Sequence, residues 1–202
     1  MKKILFRYFY GFIESQQRFI NRMAEQGWRL IRTGRFIYEF ESCPPGAYQY
    51  CIDFVGQKSY AASNDYRNFL EEMGYRVMTK PINTNVSLGK IRFRPWGSGW
   101  GKISTTPGTF NKELLIVEKE NDGQPFELHT TSEDKIAYYR MLRRVWATLS
   151  IACAAFAVFF AVKNEAPWRI IALGIIALIH LFPALQSHRT LMHLKWEGKV
   201  SE

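Results

Sequence analysis

Apolar residues along this chain change period in a way that repeats. Tyr66, Phe69, Leu70 and Met73 keep the i, i+3, i+4, i+7 spacing of one helical face, and Phe19, Ile20 and Met23 come close to it in a helix beginning near Glu14. Each run stops at a glycine, Gly27 or Gly74, which fits the position just past a helix where positive φ carries no Cβ penalty. Beyond the glycine the period falls to two. Trp28 and Leu30 share one face with Arg29 and Ile31 on the other, and Tyr75 and Val77 mirror them with Arg76 outside. "MAEQGWRLI" (Met23–Ile31) and "LEEMGYRVM" (Leu70–Met78) are thus one helix-to-strand junction written twice.

The surroundings repeat as well. The aromatic strands "ILFRYFYGF" and "AYQYCIDFV" precede the helices; "RFIYEFE" and, beyond a polar loop, "KIRFRP" come after the junctions. "SCPPG" (Ser42–Gly46) is turn chemistry between the copies. The expected fold is α+β: duplicated strand-helix-strand-strand units, about 3–41 and 47–95, forming an antiparallel sheet with the helices on one face. A third block adds the loop Gly97–Asn111, the strand "KELLIVEKE", an Asn-Asp-Gly turn and the strand "QPFELHT", an extra hairpin over about 112–130. "TSED" (Thr131–Asp134) then offers a capping box. The helix it opens meets no breaker before Val162, so a linker helix over 132–144 runs directly into the C-terminal part of the chain.

That C-terminal part is apolar on all sides. Val145–Val162 holds no charge over 18 positions, and Ile170–Gln186 none over 17. At 1.5 Å per residue each run reaches about 26 Å, close to the apolar thickness of a bilayer. "KNEAPWR" between them allows only a tight turn, giving a two-helix transmembrane hairpin over 145–187 and a tail over 188–202. A buried hairpin in a soluble fold would need more covering chain than exists. Arg140, Arg143 and Arg144 precede the first run, and His188, Arg189, His193, Lys195 and Lys199 lie after the second. The positive-inside bias then places both termini, and the α+β domain of residues 1–131, in the cytoplasm of a multi-pass cell-membrane protein. "MKKILFRYFYGFI" mimics a signal peptide, but Arg7 interrupts its apolar core, so a strand is expected.

The net charge of +9 changes this little, because it is spread thinly. Met1–Thr131 has 18 Lys/Arg against 13 Asp/Glu, Ser132–Arg144 4 against 2, and Val145–Glu202 5 against 3. The one cluster, Arg140 to Arg144, abuts the apolar run, which favours a membrane surface over nucleic acid. Three cysteines leave Cys43 and Cys51 as the only pair for a disulfide, and a reducing cytosol favours free thiols.

Candidate chemistry is sparse. "GSGWGK" is one residue short of a phosphate loop, with Ile103 where a magnesium-binding hydroxyl belongs. The four histidines have no ligand partners at metal spacing, so neither metal nor cofactor is expected. Asp53 is expected to pair with an arginine such as Arg29 or Arg76. Nothing suggests an enzyme, and the aromatic strands lack the string and basic cluster of an RNA-binding module. The surplus aromatics fit a ligand cleft or docking face instead, with Trp28, Tyr38, Tyr50, Tyr75, Trp96 and Trp100 as candidate lining. In the second span His180, with Ala172, Gly174 and Ala177, is a candidate helix contact to another copy or a partner.

"FINRMAEQGWRLI", "YQYCIDF", "YRNFLEEMGYRVM" and "KELLIVEKENDGQPFELHTTSEDKIAYYR", with the double-span tail, resemble the bacterial domain of unknown function 2812 family. Members of that family often stand beside PadR-type repressors, so the resemblance implies a regulated membrane protein, a sensor or an accessory to envelope stress, and transfers no catalytic residue. The doubled units are also similar, as an analogy of fold, to effector-binding domains that capture small amphiphiles. These features support two functional readings. One is a non-enzymatic membrane-anchored binding protein whose cytoplasmic domain takes a small apolar or amphiphilic ligand or a protein partner. The other is a structural subunit whose hairpin docks on a transporter or on a second copy. The bilayer is a partner in both, and nucleic acid in neither.

Overall fold

The computed structural model describes residues 1–56, 58–82, 86–88, 91–93, 103–104, 113–128 and 132–200, in two compact units, Met1–Thr130 and Thr131–Glu202. In the first unit, helix α1 (Ile13–Glu25) buries Gln16, Ile20, Met23 and Ala24, a stripe along one face. It ends at Gly27, whose φ of +82° is left-handed and whose absent Cβ would stand 2.9 Å from the Cys43 carbonyl. Strand β2 (Trp28–Thr33) starts at once, and a tight turn closed by the Gly34 N–H on the Ile37 carbonyl leads into β3 (Ile37–Ser42). β3 lies between β2 and β1 (Lys2–Phe6), all antiparallel, with Leu5 and Thr33 both opposite Tyr38. The N-terminal stretch is therefore a strand, as its interrupted pattern predicts.

The second copy begins the same way. Strand β4 (Tyr48–Phe54) leads to α2 (Tyr60–Glu72), capped by the Ser59 hydroxyl accepting from the Ala62 N–H. Gly74, at φ +87°, ends it, with Gly74 N–H on the Glu71 carbonyl and Tyr75 N–H on that of Leu70. Strand β5 (Arg76–Lys80) comes next. Trp28 and Tyr75 thus hold equivalent places, each half-buried directly after a left-handed glycine.

From here the copies part. The third strand of the second sheet is not "KIRFRP" but β9 (Leu114–Glu120), which lies between β4 and β5 with Ile116 opposite both Ile52 and Met78. Its run of four apolar residues, Leu114–Val117, is buried on both faces, as a central strand requires. Ile91–Phe93 is instead β7 of a small separate sheet with β6 (Val86–Leu88) and β8 (Ile103–Ser104). The single continuous sheet expected from the repeat is therefore replaced by separate three-stranded sheets, and the duplication fits loosely. The extra hairpin differs too: residues 124–128 form no strand, and Phe126 and Leu128 pack with Tyr66, Tyr75 and Val77 on the core of Val55, Leu70, Leu115 and Val117. The turn before them is held by the Asn121 and Asp122 carboxamide and carboxylate oxygens, which accept from the Gly123 and Gln124 N–H groups.

The second unit is a helical hairpin. α3 (Ser132–Val162) runs unbroken for 31 residues and α4 (Pro167–Val200) for 34, with Pro183 inside it. Asn164, at φ +53°, closes α3 as a glycine would, with Glu165 N–H on the Phe160 carbonyl. The Ser150 hydroxyl donates to the Ala177 carbonyl at 2.8 Å, and Trp146 stacks on His180 with ring centres 5.6 Å apart. Trp146 therefore packs inside the hairpin rather than standing at a lipid boundary, whereas Trp168 is exposed. Only 22% of each apolar window is buried, leaving Ile151, Phe156, Phe159, Ile171, Leu178 and Phe182 uncovered. Both helices are long and apolar enough to cross a membrane.

Candidate functional site

The face of β9 turned away from α2 carries Leu114, Ile116 and Glu118. Glu118 is buried, 3% exposed, at the place where the two halves of the first unit meet. The Arg29 guanidinium, from β2 of the first half, donates to its Oε1 through Nη2 at 2.7 Å and Nε at 3.1 Å. The Tyr50 hydroxyl, from β4, donates to Oε2 at 2.7 Å and accepts from the Leu30 N–H. Arg76, opposite Glu118 on β5, stands 3.6 Å from Oε2 and donates to the carbonyls of Leu30 and Ile31. Burial, reinforced by Glu118, pushes the Tyr50 phenol well above its ordinary pKa, and the bond to Glu118 raises that of Arg29. The arginine of each repeated phrase therefore turns toward one shared carboxylate.

A cleft adjoins this cluster. β4 is an edge strand, and α1 covers its open side. Asn21 pairs with Tyr50 as a neighbouring strand would, donating to its carbonyl and accepting from its N–H at 2.8 Å each, and Gln17 accepts from the Ile52 N–H. Beside them opens a cavity of about 250 Å³ lined by Asn21, Glu25, Tyr48, Gln49, Tyr50 and Phe126. The Gln49 Oε1 is buried without a hydrogen-bond partner among the described residues. The Arg29 guanidinium lies 4.2 Å from the centre of the Tyr48 ring. Tyr48 and Tyr50 thus line the cleft and also touch the Arg29–Glu118 pair.

Of the residues selected from sequence, Tyr50 lines this cleft. Tyr38 is fully buried elsewhere, beneath Lys80, its phenol raised by burial. Trp28 lies under the Lys3 ammonium, and Tyr75 packs against Phe126. Trp96 and Trp100 lie outside the described residues, as does most of Gly97–Asn111. In the hairpin, Ala177 and His180 face α3, while Ala172 and Gly174 are half-buried. Asp53 lies opposite Leu115, on the face of the sheet that packs on α2, where the Tyr66 phenol, raised by burial, hydrogen-bonds to it. Cys43, Cys51 and Cys153 are free thiols.

Glu118, Tyr48, Asn21 and Gln49 were missed. Glu118 sits in "VEKE", which reads as a solvated strand end. The available signal was its two-residue offset from Ile116, a position that a central strand buries. Arg29 is expected opposite the Trp28 and Leu30 face, with Asp53 as a candidate partner, yet the carboxylate it meets lies 89 residues away.

No curated protein and no solved structure matches the chain. The family described as protein of unknown function (DUF2812) matches residues 12–151, from the residue before α1 through β9 and into α3, and the chain belongs to that family.

Proposed function

We propose that this is a membrane-anchored, non-enzymatic binding protein with both termini in the cytoplasm, whose α+β unit takes a small amphiphilic ligand in the cleft beside α1. Its apolar part rests on Tyr48 and Phe126, and its polar part meets Asn21, Gln49 and Glu25. The observation that carries this reading is the double role of Tyr48 and Tyr50, which line the cleft and contact the Arg29–Glu118 pair. A ligand there acts on the contact that joins the two halves, which is what a sensor needs. The cationic flanks of the apolar runs support the orientation, and the uncovered faces of α3 and α4 support the anchor.

The test is thermal denaturation of the full chain in lipid nanodiscs against a panel of small aromatic and alkyl amphiphiles. At least one compound raises Tm, and Tyr48→Ala removes that rise. A panel that shifts nothing contradicts the ligand half of the reading. One observation favours the alternative of an accessory subunit: a Cβ at Gly174 would meet nothing within 4 Å, so that patch of α4 is open to another helix. Crosslinking in native membranes to a stoichiometric integral partner would select it.

A further inference from the structure

Arg76 and Lys80 share one face of β5 and stand at opposite ends of it, so the seam between the halves has a second end. There a cavity of about 10 Å³, room for one water-sized particle, is lined by Gln16 of α1, Tyr38 of β3, Lys80 of β5 and the cationic Arg7 and Arg35. Lys80 is 2% exposed. Its ammonium donates to the carbonyls of Gly34 at 2.6 Å and Arg35 at 2.9 Å, and no carboxylate among the described residues pairs with it. An ammonium has three N–H groups, so one has no oxygen acceptor; the Tyr38 ring lies 4.7 Å away, a weak cation–π contact that supplies no counter-charge. The Tyr38 hydroxyl and the Gln16 Nε2, both on residues more than nine-tenths buried, also have no hydrogen-bond partner among the described residues.

A buried cation without a counter-charge and two buried donors without acceptors are each costly. Here Lys80, Tyr38 and Gln16 line one cavity, and among the described residues its lining includes no carboxylate; the neighbouring Glu113 accepts from the Ile82 N–H. A water would offer two lone pairs to three donors and bring two O–H groups of its own. A small anion accepts from all three and neutralises the charge. We propose that this cavity binds a monatomic or similarly small monovalent anion, chloride in kind, held by Lys80 Nζ, Tyr38 Oη and Gln16 Nε2. Burial without the anion pushes the Lys80 amine down to about 8, and a bound anion restores its charge. Because Gln16 and Tyr38 come from the first half and Lys80 from the second, the ion clamps the seam. The site shares no residue with the cleft above, so either proposal can fail alone.

The experiment is thermal denaturation of the full chain in nanodiscs at constant ionic strength, with gluconate replaced stepwise by chloride or bromide. Tm rises saturably by several degrees with either halide, and sulfate, too large for the cavity, does not reproduce the rise. Tyr38→Phe melts in gluconate at or above the wild-type Tm, since it removes an unsatisfied hydroxyl, and loses most of the halide response. Lys80→Met loses all of it. An equal Tm in gluconate and chloride overturns the site, as does a full halide response in Tyr38→Phe. In crystals soaked in bromide, an anomalous peak between these three side chains supports it, and an ordered water there overturns it.

Discussion

The two halves of the α+β unit use one plan and differ in where the third strand comes from. In the first, β3 comes directly after β2 across a tight turn, and α1 buries four residues. In the second, residues 81–113 intervene before β9 arrives, and α2 buries only Leu70. The late strand is the one that brings Glu118, the acceptor for Arg29 of the other half. The first half is thus a contiguous platform, while the second is completed only when β9 enters and, in entering, is joined to the first. α1 serves both, covering its own sheet and the open edge of β4.

If β9 joins the halves, Glu118→Ala is the most damaging single change. It leaves the buried Tyr50 hydroxyl and the half-buried Arg29 without their acceptor, a loss of about 3–5 kcal/mol by chemical denaturation. A loss under about 1 kcal/mol would mean that the halves stand without this contact.

The Lys80 end of the seam gives the next effect, through pH. In halide-free buffer its folded pKa of about 8 lies below the ordinary 10.5. Between those values the unfolded chain holds a proton that the folded chain does not, so raising the pH favours folding. The cost of burying the charge, present in full below about pH 8, is progressively relieved above it, by on the order of 2 kcal/mol at pH 9.5. The Tyr38, Tyr50 and Tyr66 phenols, raised by burial, stay protonated in the folded chain while unfolded phenols titrate near 10.0, so they oppose the rise as the pH nears 10, and the Lys80 effect is read between about pH 8 and 9.5. Urea midpoints between about pH 8 and 9.5 should rise for the wild type relative to Lys80→Met, in which only the opposing thiol and phenol titrations remain.

The smallest effects compare the two glycines. Gly27→Ala meets both a left-handed φ and the Cys43 carbonyl at 2.9 Å, costing more than about 2 kcal/mol. Gly74→Ala meets only the φ, with nothing within 4 Å, and costs about 1 kcal/mol. Equal losses would show that the junctions are not embedded differently.

These junctions were legible because everything in them is local. A helical stripe, a left-handed glycine and a switch to period two are decided within a dozen residues. The apolar hairpin was legible for the same reason. What the sequence withheld depends on distance along the chain. "KIRFRP" has the alternation of a strand and lies where the repeat wants one, so local reasoning chose it over β9. Only the double burial of "LLIV" distinguishes the central strand, and burial on both faces is a property of the assembled sheets. The cleft was half-visible: Tyr50 was selected as aromatic, but Asn21, a polar helix residue, declares nothing until its carboxamide is seen pairing with a strand edge. Lys80 reads as an ordinary strand-end cation until it is seen buried on two carbonyls with no paired carboxylate among the described residues.

The joining of the halves at Glu118 is measured most directly by double-mutant cycles on the full chain, using Arg29→Met and Arg76→Met, each with Glu118→Gln. Arg29, in direct contact with Glu118, should couple by at least about 1.5 kcal/mol, and Arg76, at 3.6 Å, by less than about 0.5 kcal/mol. Additive losses for Arg29 and Glu118 would contradict the account, because the arginine of the first phrase would then not depend on the carboxylate that β9 delivers.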